Sequence, residues 1–146
     1  MSADSIAIGS KIKVTGYKAE WSGEVEITDA TFEVLEGNYI AEAIDLTDKL
    51  GTEELINYQN MFAAFKGLTL EAVEYKNGEP GNDIYLTLGL NGASYSFCVE
   101  SDLVGADTAE YQAVAELNVG DVVDIEGFAY WYEGINTHVT SIKVAQ

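Results

Sequence analysis

The 146-residue chain has one cysteine, one proline, one histidine and no arginine, and only 7 of its residues are lysines. A lone cysteine, Cys98, excludes an internal disulfide and leaves the redox compartment open. A lone histidine, His138, leaves little room for imidazole-based metal binding or acid–base work. The chain also lacks His-Glu-x-x-His, Cys-x-x-Cys and a phosphate-cradling glycine loop. Cys98 with His138 is the one nucleophile–base combination available, and a small thiol in a strand ordinarily serves packing. With no Gly-x-Ser-x-Gly elbow either, the sequence predicts neither an enzyme nor a cofactor. No apolar run reaches the length of a membrane span, and the opening MSADSIAIG lacks the basic and apolar regions of a signal peptide. These absences leave a cytoplasmic protein or a piece excised from a longer one.

Carboxylate is what the chain has in excess: 25 acidic residues give a formal net charge of -18. Nucleic acid is bound chiefly by neutralising its phosphates, so an acidic chain needs its cations gathered in one place. Here Lys11, Lys13 and Lys18 share one hairpin while Lys49, Lys66, Lys76 and Lys143 are scattered. Nucleic acid is therefore not an expected partner, and neither is an anionic membrane. A hydrophobic fraction of 47% with 11% aromatics is enough to build a core, so the acidity reads as a solvated surface rather than a disordered tail. Calcium is another use for carboxylates, but nothing matches an EF-hand loop. Asp45 with Asp48, and the Asn82-Asp83 loop, are the best local candidates, and they read first as turn carboxylates.

The chain contains one pattern twice. IGSKIKVTGYKAEWSGEVEITDATFEV, from Ile8 to Val34, returns as VGDVVDIEGFAYWYEGINTHVTSIKV, from Val119 to Val144. Gly9, Gly16 and Gly23 answer Gly120, Gly127 and Gly134; Ile12, Val14, Tyr17 and Trp21 answer Val123, Ile125, Phe128 and Tyr132. Alternation puts Val123, Ile125, Gly127, Ala129 and Trp131 on one face of a strand. A glycine in mid-strand, Gly16 or Gly127, marks a bulge where the sheet curls, so each copy reads as a curled hairpin.

Between the copies, Thr52 to Gln59 reads as a short helix with a threonine cap, and Phe62 onward as a long strand kinked at Gly67. A loop around Pro80 follows, then a hairpin about Asn91-Gly92, then a helix opened by a capping box of Asp107 with Glu110. Three strands, a helix and two strands is the order of the five-stranded Greek-key barrel called the OB-fold. The predicted fold is all-β with short helices. Residues 61–146 form a complete barrel, and residues 1–60 hold a hairpin from a second OB-like unit plus a linker helix. Such a hairpin is marginal alone. It is expected either to lie against the barrel through Ile12, Val14, Val25 and Ile27 or to form a homodimer with its counterpart in a second molecule.

The aromatic residues carry the functional expectation. Tyr130, Trp131 and Tyr132 end the fourth barrel strand beside a loop that OB-folds use for ligands, and strands two and three offer Tyr85, Tyr95 and Phe97. Trp131 shares the inward face with Ile125, so Tyr130 and Tyr132 are the exposed pair. Tyr85, Tyr95, Tyr130 and Tyr132 are thus the candidate ligand-binding residues, with a glycan or a protein as ligand. A structural spacer and a single-stranded nucleic-acid binder are the alternatives, the last opposed by charge.

The two copies, with GTEELINYQNMFAAFKGLTLEA between them, resemble the tandem OB-fold repeats of secreted lipoproteins and surface proteins of gut Firmicutes. The resemblance covers nearly the whole chain. It implies an extracellular or cell-surface setting in the parent protein and carries no catalytic residues to transfer.

Overall fold

The computed structural model describes residues 6–145. Its first element is the repeated pattern's first copy: β1 (Ser10–Trp21) and β2 (Glu24–Asn38) pair antiparallel as a two-stranded sheet of their own. Their turn is Ser22-Gly23, with φ of 50° and 89°, the left-handed pair that a twisted two-residue hairpin loop requires. A short strand, β3 (Ile44–Asp45), then pairs parallel with the start of β4 (Phe62–Tyr75). The segment expected to be a capped helix is a 3-10 helix, Glu53–Tyr58, and the Thr52 hydroxyl donates backward to the Lys49 carbonyl instead of capping. Only Leu55 of that segment is buried, too little apolar surface to sustain an α-helix of ordinary length.

The remaining strands are β5 (Ile84–Leu90), β6 (Ala93–Val99), β7 (Val122–Phe128) and β8 (Thr137–Val144), with helix α1 (Ala109–Ala115) between β6 and β7. The sheet order is β3-β4-β5-β6-β8-β7, and β4 pairs with β7 as well, which closes the barrel. β4 serves both neighbours because it bends at Gly67, whose φ is 71°. Its first half pairs with β7 and its second half with β5. The Asn91-Gly92 loop sets β5 against β6, and both loop residues have positive φ, as the sequence predicts. The helix cap falls one residue later than expected: Thr108 is the cap, and its hydroxyl oxygen accepts from the Tyr111 N–H at 3.2 Å. The core is apolar, with Phe65 and Phe97 edge to face at 5.6 Å among Leu68, Leu70, Leu86, Leu88 and Ile125. Each such side chain, fully buried, contributes roughly 1.5–3 kcal/mol.

The two copies share more than sequence. Val14 faces Phe32 and Ile125 faces Ile142; one step on, both hairpins slip register at their mid-strand glycine, Gly16 or Gly127. A Cβ at Gly16 would sit 2.8 Å from the Thr28 carbonyl, and one at Gly127 would collide with the His138 carbonyl, so the bulge admits only glycine.

Their surroundings differ. Ile12, Val14, Val25 and Ile27 do not lie on the barrel: all four are exposed, and among the described residues the hydrogen bonds and ring contact that join the hairpin to the barrel lie at its tip. The Trp131 N–H donates to Glu24 Oε2 at 2.7 Å, and the Glu133 N–H donates to the Ser22 carbonyl at 2.6 Å. Trp21 packs on Tyr132 with ring centroids 5.1 Å apart. Gln59 bridges the same junction, accepting from the Val25 N–H and donating to the Gly23 carbonyl. The core face of the closed barrel is filled by its own strands, and the hairpin docks on the turn between β7 and β8, where the Trp131 and Glu133 N–H groups donate to it.

Candidate functional site

Antiparallel and parallel register partners share a face of the sheet, so the pairings trace the outer surface directly. One row runs from Glu74 to Tyr85, Cys98, His138, Phe128 and Phe62, crossing β4, β5, β6, β8, β7 and β4 again. The next row on the same face runs Ala72, Thr87, Ser96, and beyond it Gly89 faces Ser94. The outer face of β5 and β6 is therefore a low platform of threonine, serine and glycine. At one end Glu71 lies across Gly89, where a Cβ would collide with its carboxylate, and accepts from the Ser94 hydroxyl at 2.6 Å. At the other end stands Tyr85, 42% exposed.

Loops bound the platform. The β4–β5 loop is tied to α1: the Tyr111 hydroxyl donates to the Asn82 carbonyl and accepts from the Gly81 N–H at 3.0 Å. Asp83 accepts from the backbone N–H and hydroxyl of Ser101, each at 2.8 Å, and lies 3.6 Å from Lys76. Burial works against its charge, but these donors and Lys76 outweigh burial and hold the carboxyl below the usual range. Asp45, which with Asp48 is the other candidate calcium site, accepts from the Thr47 hydroxyl at 2.6 Å and the Thr47 N–H at 3.1 Å, and those bonds lower its pKa. Both carboxylates already have partners that turn residues supply. Among the described residues no three metal-ligating side chains cluster.

The structure divides the four predicted tyrosines. Tyr85 and Tyr130 come to the outer belt, Tyr130 stacking on His138 with ring centroids 4.1 Å apart. Tyr95 pairs with Leu88, on the inward side of the sheet, and its ring packs at the margin of the core with its hydroxyl toward Gly51. Tyr132 is half exposed but its ring is engaged by Trp21 at the hairpin junction. Thr87, Ser94, Ser96, Glu71 and Glu74, which the aromatic reading passed over, furnish the polar part of the face. The alternation in DIYLTLGL and ASYSFCV carried that signal.

Cys98 and His138 are register partners on adjacent strands. Cys98 is buried, and burial, reinforced by Asp83 and Glu100, pushes its thiol up to about 12. An activated thiol moves the other way. Burial also pushes His138 below its ordinary value, against the pull of Glu100, whose Oε2 lies 3.2 Å from Nδ1. The imidazole is mostly covered and stacks under Tyr130, so it is part of the wall of the sheet there.

Among family models and among curated proteins, nothing matches the chain. Solved structures do. An aspartyl tRNA synthetase from Entamoeba histolytica aligns with a TM-score of 0.51 at 21% identity, over 63% of this chain and 20% of that one. Asparaginyl-tRNA synthetase from Pyrococcus horikoshii aligns at 0.49 and 17% identity, over 62% of this chain and 20% of its own. An OBody bound to hen egg-white lysozyme aligns at 0.48 and 20% identity, over 62% and 84%. The chain thus spans about a fifth of the synthetases it matches. The closed five-stranded arrangement of β4 to β8, with α1 before the last two strands, is an all-β OB-like fold.

Proposed function

We propose that the barrel is a non-enzymatic binding module that takes an uncharged carbohydrate on the outer face of β5 and β6, at the surface of a bacterial cell in the parent protein. The observation that carries this reading is the composition of the platform. Hydroxyls of Thr87 and Ser96 and the carboxylate of Glu71 offer hydrogen-bonding groups to a polyol, and Tyr85 stands free to stack on a sugar ring. Glu74 and Glu100 flank it, and Lys76, at the end of β4, is ion-paired with Asp83. A phosphate backbone would meet carboxylates there, although OB-folds elsewhere bind oligonucleotides on this face. The synthetase likenesses support the fold alone.

A glycan array with an oligonucleotide panel alongside, run on the full chain and on Tyr85→Ala, tests this. Glycan binding that falls at least tenfold in Tyr85→Ala is the expected result. Salt-sensitive oligonucleotide binding would overturn it in favour of nucleic acid. Silence on both panels would favour the spacer reading, for which the tip-to-tip junction of Trp21 and Tyr132 is the supporting observation.

A further inference from the structure

The outer row that holds Tyr85 does not end with β5 and β6. It crosses to β8 at His138, on which the Tyr130 ring stacks, then to β7 at Phe128 and back to β4 at Phe62, the last two rings lying 5.6 Å apart. Aromatic side chains thus stand on one face of four strands, with the buried Cys98 between Tyr85 and His138. Phe128 is 40% exposed, much as Tyr85 is, so ring surface is open to solvent on both sides of the covered centre. The row leaves β4 at Glu74 and meets β4 again at Phe62, twelve residues earlier. A row that returns so far along its starting strand climbs the barrel rather than circling it, a consequence of strand tilt and stagger in a closed sheet. With strands about 4.8 Å apart, the steps from Tyr85 to Phe62 span roughly 19 Å. One such step is close to the length of one pyranose unit.

What borders the row selects the ligand. Along one side lie the hydroxyls of Thr87 and Ser96, which are register partners. On the other side, β6 runs parallel to β8 and β8 antiparallel to β7, so Glu100 and Glu126 fall along a single margin. Glu126 faces Ser141 there, and Glu100 lies 3.2 Å from the His138 imidazole. Rings along the middle, with hydroxyls and carboxylates along the margins, suit the apolar ring faces and the hydroxyl rims of a sugar chain. The carboxylates oppose a phosphodiester or a chain of uronic acids. A peptide finds no edge to pair with, since β5, β6, β8 and β7 each have a strand on both sides. Resting on the reading that this face takes an uncharged carbohydrate, we infer that its site is a track for several units of an unbranched neutral oligosaccharide, laid across the strands from Tyr85 over Tyr130 to Phe128 and Phe62. A single terminal sugar fills only the Tyr85 end.

Calorimetric titration of the full chain with size ladders of β-1,4-linked glucose, mannose, xylose and N-acetylglucosamine tests this. The ladders run from about two to six units, bracketing the roughly four that the row holds. Affinity is expected to rise about tenfold from dimer to tetramer and then level off. Phe128→Leu keeps an apolar cover over Phe62 and removes the ring, and the tetramer is expected to bind this variant about tenfold more weakly than the natural chain. Equal affinity along a ladder, still weakened by Tyr85→Ala, would overturn the track and leave a carbohydrate site confined to β5 and β6. A rise with length that Phe128→Leu does not alter would also overturn it, because the added units would then lie elsewhere. Silence of every ladder would overturn the track and the carbohydrate reading together.

Discussion

One hairpin pattern occurs twice in this molecule, once covered and once bare. β1–β2 and β7–β8 share their pairing, their glycine bulge and the left-handed residue at the tip, Ser22 with φ of 50° and Glu133 with φ of 53°. Backbone shape in these hairpins is therefore a local property of the pattern. Burial is not local: the same apolar positions are sealed in one copy and wet in the other. The largest effect that separates them is truncation at matched sites. Ile125→Ala removes methyls from a sealed core and is expected to cost roughly 2–5 kcal/mol, whereas Val14→Ala stays within about 0.5 kcal/mol. Denaturant unfolding of the two variants checks this, and equal losses would mean that β1–β2 is buried in solution.

The contact between the two copies is made by equivalent residues: Trp21 on its counterpart Tyr132, and Ser22 bonded to its counterpart Glu133. Two like surfaces meeting through like residues is the arrangement of an isologous interface, here within one chain. Glu24 breaks the symmetry. It is 3% exposed, and its carboxylate takes the Trp131 N–H at 2.7 Å. Glu24→Ala leaves that N–H unpartnered, at about 1–3 kcal/mol, and the cost falls on the junction rather than on the barrel. Both tryptophans of the chain, Trp21 and Trp131, sit at this junction, so a red-shifted emission with an unchanged barrel melting temperature is the expected signature. A drop in the barrel's own melting temperature would show instead that the hairpin supports the barrel.

Most of the barrel was legible because its signals are local. Alternation gave the strands, Asn91-Gly92 the hairpin and Gly67 the bend that lets β4 pair on both sides. The end-on docking was not legible, since it rests on turn carbonyls and on Gln59 and Asn60, whose hydrogen bonds leave no periodic trace. The candidate site was legible in part. The Asn91-Gly92 loop makes Leu90 face Ala93, and that register by itself puts Tyr85 opposite Cys98 and Tyr95 opposite Leu88, on different faces. Grouping the two tyrosines by residue type ignored a register that the turn had already set. Thr87 and Ser96 were passed over for the same reason: as small hydroxyl residues they look like strand filler until their shared face is traced.

The smallest expected effect distinguishes the two hairpins by proton rather than by methyl. At the position facing the aromatic that follows the bulge glycine, β8 carries His138 opposite Phe128, and β2 carries Thr28 opposite Tyr17. Burial lowers the pKa of His138 in the folded protein, with Glu100 opposing, so the unfolded chain binds a proton there more readily than the folded one. Stability from this group is then complete above the unfolded value near 6.5 and is lost as pH falls below it. The slope is at most about 1.4 kcal/mol per pH unit for one proton. Asp83 adds a second loss only lower, as pH falls below 3.8, because its folded value is lowered from there. Denaturant midpoints between pH 7 and 5 are expected to fall for the natural chain and to flatten for His138→Gln. The tip junction and β1–β2 carry no histidine, so hydrogen exchange in β1–β2 follows only its intrinsic pH dependence over that range. A slope that survived in His138→Gln would place the titrating group among the carboxylates instead.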